Sequence, residues 1–198
     1  MDRGLAVCWR ALALLGEAER IAGVFLIALM VVTITIQVVT RYAFGQPLVW
    51  VEELATYSFI WSVFLGAALG LKEMRHIRIE TFLDRVKPRS GALFRAALYA
   101  LVLVCSVALA SHALDIMQVE RRSETMSLPI NVGRHWFYSV PLFTGLASMA
   151  LTSAYFIAAY LALAMDGRVV DAERDIAERR RIDHEAEEEE LRTLEQSI

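Results

Sequence analysis

The sequence predicts an all-α integral membrane protein: four transmembrane helices, interfacial amphipathic segments, and both termini in the cytoplasm. Two observations carry this. First, 57% of the 198 residues are hydrophobic and 22% are charged, yet the 20 basic and 23 acidic residues avoid four stretches entirely: 21–39, 54–71, 96–114 and 136–165. A helix crosses the hydrocarbon of a bilayer with about 20 apolar residues, and each stretch is near or above that length. Second, the basic residues are lopsided. With four spans, the N-terminus, the second loop and the tail share one side, and that side holds 16 of the 20 Lys and Arg residues. Positive loops stay cytoplasmic, which places the first and third loops outside.

The same pattern excludes other classes. A soluble enzyme of this length would show amphipathic periods instead of blocks apolar on every side. A β-barrel would alternate apolar and polar residues over strands of about 10 positions. Nucleic-acid binding has no support, because the net charge is −3 and the acidic excess sits in the tail. The two cysteines, Cys8 and Cys105, fall at different membrane depths and form no disulfide or metal framework. No cofactor, metal or catalytic residue is expected.

Residues 1–20 place Leu5, Trp9, Leu12 and Leu15 among Arg3, Arg10 and Glu17, the composition of a short interfacial helix leading into the first span. Residues 21–165 form the membrane domain. Its first loop contains Tyr42, Phe44 and Trp50, rings suited to the headgroup belt. Pro47 is suited to opening the second helix, with Glu52 and Glu53 in early turns where acids favour the dipole. Arg41, the one basic residue of this loop, is the natural partner of one glutamate. In span two, Gly66 and Gly70 make a small-xxx-small motif, and span four repeats small residues at Ala154, Ala158 and Ala162. Such motifs allow close helix approach, either inside the bundle or with a partner. The second loop mixes Lys72, Arg75, Arg78 and Arg85 with Ile77, Ile79 and Phe82, as a segment lying along anionic lipid headgroups would. Residues 166–198 are a charged cytoplasmic tail, with the acidic run Glu187 to Glu190.

A solute carrier needs an intramembrane site, usually an ionisable residue or an unwound helix. The spans supply only hydroxyls, Gln37 and His112, so the chain is not expected to transport anything alone.

The densest motif reads Arg41-Tyr42-x-Phe44, then Trp50-x-Glu52-Glu53-Leu54-Ala55, then Trp61, Phe64-Leu65-Gly66-Ala67-Ala68 and His76-Ile77-Arg78-Ile79. This resembles the small permease subunit of TRAP (tripartite ATP-independent periplasmic) transporters, the DctQ type. Weaker echoes follow in Leu128-Pro129-Ile130 and Tyr138-x-x-Pro141. The resemblance implies a scaffold subunit of a sodium-driven, binding-protein-dependent transporter for organic acids in the bacterial inner membrane. Its partners would be a separate large permease subunit that holds the sodium and substrate sites, a periplasmic substrate-binding protein, and membrane lipids. The expected architecture-bearing positions are Arg41, Trp50, Glu52 and Glu53 at the outer face, Trp61, Gly66 and Gly70 packing within the membrane, and His76 at the inner edge of span two. Two other readings stand beside it. A haem-carrying anchor of a membrane oxidoreductase would use His112 and His135 as axial ligands. A small oligomeric exporter or channel would need a polar pore residue.

Overall fold

The computed structural model describes residues 2–73, 88–125 and 132–166. The second-loop segment 74–87, with His76, the stretch 126–131 and the tail beyond 166 lie outside the described residues. Among the described residues, four helices are long and apolar enough to span a membrane. They are α1 (Asp2–Ala43), α2 (Val49–Lys72), α3 (Pro88–Glu120) and α4 (Ser139–Asp166), the last preceded by a short 3-10 turn, Arg134–Trp136. The first three run past both ends of their charge-free stretches, because backbone hydrogen bonding does not stop where side chains become polar, while α4 starts three residues inside its stretch. The first 20 residues and the first span are one unbroken helix, α1, of 42 residues and about 63 Å. That is about twice the hydrocarbon thickness.

Described residues of two links close locally through backbone hydrogen bonds. At the end of α1 the amides of Phe44 and Gln46 both return to the Thr40 carbonyl, with Gly45 in the left-handed region at φ 66°. Only glycine takes this turn without strain. α2 begins at Val49, two residues after Pro47, with Glu52 in its first turn. Between α3 and α4, the Thr125 amide donates to the Val132 carbonyl at 3.0 Å and the Arg134 amide to the Ser123 carbonyl at 2.9 Å. The Ser139 hydroxyl also donates to the Glu120 carboxylate, tying the start of α4 to the end of α3.

Among the described residues the helices pack as a row, α3 on α4, α4 on α2 and α2 on α1, with α1 also touching α4 near its start. The helices converge at the end that holds the N-terminus. There Leu12, Leu71, Ala92, Ala96, Tyr99, Tyr155, Phe156 and Tyr160 form the buried core. Trp9 stacks on Tyr155 with centroids 5.5 Å apart, and Tyr99 stacks on Phe156 at 4.7 Å. Along their outer sides α1 and α3 leave Val31, Val32, Ile34, Val104, Val107 and Leu109 about half exposed or more. In water this would be untenable; in lipid an apolar outer face is ordinary.

Candidate functional site

Two polar networks and two open helix faces stand out. The first network lies where α1, α2 and α4 meet. The Lys72 ammonium donates to the Glu19 carboxylate at 2.6 Å and to the Ser148 hydroxyl at 2.5 Å, and Ser148 donates to the other Glu19 oxygen at 2.6 Å. The ring is closed and dry: Glu19 is 7% exposed, Lys72 4% and Ser148 6%. Gly16, one turn before Glu19, leaves room for it, since a Cβ there would sit 3.2 Å from the Lys72 side chain. The expectation of spans without ionisable groups therefore needs correcting. Glu19 and Lys72 flank the charge-free stretches, but the helices continue past those stretches and carry both charges into the interior. Burial is tolerable because each charge has its counterion and a further hydrogen bond.

The second network occupies the opposite end. Tyr57, 3% exposed, donates to the Glu53 carboxylate one turn earlier. Its ring stacks face to face on Phe137 at 4.0 Å and meets Tyr138 edge-on at 5.7 Å, while the Arg134 guanidinium lies 5.3 Å above the Tyr138 ring. Gln37 of α1 donates to Glu52 at 3.4 Å. The two adjacent glutamates thus have different partners, as neighbours on a helix must. Neither pairs with Arg41, which is exposed at the end of α1 and makes no ion pair among the described residues.

The open faces carry the small-residue motifs. On α2, beyond Val49 and Trp50 at its start, the exposed positions are Glu52, Thr56, Phe59, Val63 and Gly66, a continuous helical stripe. A Cβ added at Gly66 would meet nothing within 4 Å. On α4 the stripe is Leu151, Ala154, Ala158, Leu161 and Met165. Gly66, Ala154 and Ala158 therefore do not serve internal packing. The close internal crossing is elsewhere, at Gly145, where a Cβ would come within 3.0 Å of the Phe64 Cβ and carbonyl oxygen. Of the other expected positions, Trp50 is 41% exposed at the start of α2, and Trp61 and Gly70 are half-buried. His76 is outside the described residues.

The sequence reading missed Glu19, Ser148 and Gly145, and it placed Lys72 in the second loop along lipid headgroups, whereas Lys72 ends α2 and is buried between helices. Isolated charges just outside an apolar block, facing a glycine and a serine on other helices, are the only trace they leave. His112 is exposed on α3, and His135 lies against Trp136 with ring centroids 5.6 Å apart. Among the described residues no three His, Cys, Asp or Glu side chains converge as metal ligands would.

Four apolar helices in a row, with internally paired charges and open small-residue faces, define a multi-span membrane protein. The chain belongs to the DctQ component family of tripartite ATP-independent periplasmic transporters, whose family model matches residues 30–163. That family is one of transporter components, not of enzymes. It is 31% identical over 91 residues to a protein described as a TRAP transporter small permease protein from Haemophilus influenzae, a match covering 46% of this chain and 56% of that relative. The sialic acid TRAP transporter small permease protein SiaQ of Vibrio cholerae is 26% identical over 130 residues, 65% of this chain and 74% of the relative. The sialic acid TRAP transporter permease protein SiaT of Haemophilus influenzae is 32% identical over 88 residues, 44% of this chain but only 14% of that much longer relative.

Proposed function

We propose that this chain is the scaffold subunit of a sodium-driven, binding-protein-dependent transporter for organic acids. It would sit in the bacterial inner membrane with both termini cytoplasmic, paired with a separate large permease subunit. The observation that carries this is the outward placement of Gly66, Ala154 and Ala158. In lipid no hydrophobic force drives helices together, so association relies on backbone approach at small residues and on polar contacts. The α2 stripe offers both, with Gly66 towards one end and the Glu52 carboxylate at the other. The similarity to SiaQ, a sialic acid transporter protein, supports an acidic substrate class, and the match to a segment of the longer SiaT supports a large permease partner. A periplasmic binding protein would dock on the end bearing Arg41, Trp50, Glu52 and Glu53.

The experiment is co-purification of the tagged chain with a co-expressed large TRAP permease. The wild type is expected to hold that partner through size exclusion. Gly66→Leu together with Ala154→Leu and Ala158→Leu is expected to fold alone yet lose most of the partner. A wild type that never retains the large permease overturns the pairing. A triple variant that retains it normally overturns the assignment of the open faces.

A further inference from the structure

We propose that Glu19, Lys72 and Ser148 form an intramembrane clamp that fixes the register of α2 against α1 and α4, and that docking of the large subunit depends on that register. This deepens the pairing reading and rests on it. The neighbouring buried positions of α2, Ala68 and Leu71, carry apolar side chains that form no hydrogen bond. Around the clamp, α2 meets its neighbours through Leu69, Ala68 and Leu71, and α1 contributes Gly16, which adds no side chain. Such apolar and small surfaces slide past one another at little cost in lipid, where each alternative register is as apolar as the native one. The ring of three hydrogen bonds is different. Displacing α2 by one residue moves Lys72 by about 1.5 Å along the axis and turns it by about 100°, which strands both charges in a dry interior. The clamp therefore selects one register, and with it the orientation of Glu52, Thr56, Phe59, Val63 and Gly66 on the open face.

The choice of three helices is also informative. Glu19 and Lys72 are joined by α1–α2 contact alone, but Ser148 extends the link to α4, the helix that carries the second open stripe. One network thus holds both open faces in a fixed relation. Glu17 and Arg20, by contrast, form an exposed pair on the outside of α1 at 3.4 Å and with about half of each side chain accessible. Both members of that pair lie on α1, so it links no two helices.

The test uses the full chain, alone in detergent and expressed with the large permease. Two readouts are taken, the thermal midpoint of the chain alone and the fraction of large permease retained. Removing one partner, in Glu19→Gln or Lys72→Met, leaves the other charge buried and is expected to lower the midpoint by about 10 °C. Retention is expected to fall at least fivefold. The apolar pair E19L/K72M is expected to regain the midpoint, since well-packed apolar residues replace buried ion pairs at little cost, while retention stays low because register is lost. The reversed pair E19K/K72E, which Ser148 is able to bridge from either side, is expected to recover both. Full retention by E19L/K72M, an unchanged midpoint in both single variants, or a reversed pair no better than the singles overturns the clamp. If the wild-type chain itself retains no large permease, the pairing reading has failed. The midpoints of the isolated chain then still show whether the network holds the fold.

Discussion

Adding one methyl group at Gly145 or at Gly66 separates the internal crossing from the open face. An alanine Cβ at position 145 would lie 3.0 Å from the Phe64 Cβ and carbonyl oxygen and 3.3 Å from its carbonyl carbon. Optimal carbon contacts are about 3.5–4.0 Å, so α2 and α4 must part by roughly half an ångström or more at their crossing. The obstacle is partly backbone, which no rotamer change relieves. Such a gap forfeits a quarter to a half of the local dispersion energy, and overpacking of this kind costs about 1–3 kcal/mol. Both substitutions gain the same helix propensity, about 1 kcal/mol for Gly to Ala, so the difference between them isolates the crossing. Gly66→Ala meets nothing and should leave the isolated chain as stable as wild type or slightly more so. Gly145→Ala should therefore melt roughly 3–10 °C below Gly66→Ala, at about 2–4 °C per kcal/mol for a chain of this size. The assay is thermal unfolding of each full-length variant in the same detergent. Equal midpoints would refute the crossing geometry.

Three further predictions follow from single contacts. Tyr57→Phe keeps the stack on Phe137 but removes the donor to Glu53; with a charged acceptor this should cost about 1.5–3 kcal/mol, and an unchanged thermal midpoint would contradict the network. Gly45→Ala forces a side chain into the left-handed region and should lower stability by about 1–2 kcal/mol, with Gly45→Asn closer to wild type; equal loss from both would show that φ is not the cause. For orientation, a cysteine at Phe44, 72% exposed, should react with an impermeant maleimide in intact spheroplasts, whereas exposed Cys8 should react only after lysis; labelling of Cys8 before lysis would reverse the assigned sidedness.

The four helices were legible because charge-free blocks are set by the bilayer, and blocks at 21–39, 54–71, 96–114 and 136–165 need no knowledge of packing. Which side of each helix faces inward was not. In water an inward face is apolar and an outward face polar, so periodicity reveals burial; in lipid both are apolar and the signal vanishes. Gly66 and Gly145 look alike in the sequence, yet one faces open space and the other meets Phe64. Glu19 and Lys72 were hidden for a related reason. They are 53 residues apart and flank apolar blocks where charges are ordinary, and only the three-dimensional crossing of α1, α2 and α4 brings them together. The family motif around Glu52 and Glu53 was legible as a pattern, but the partners of those glutamates were not. Arg41, adjacent in the loop, was the obvious choice; Gln37 and Tyr57, each on a helix that presents it, are the partners found.

Sodium-driven uptake into proteoliposomes tests the central claim most directly, with the large permease, the binding protein and this chain supplied in every combination. Uptake is expected only when all three are present, and none from this chain alone. Full uptake by the large permease and binding protein without this chain would contradict it.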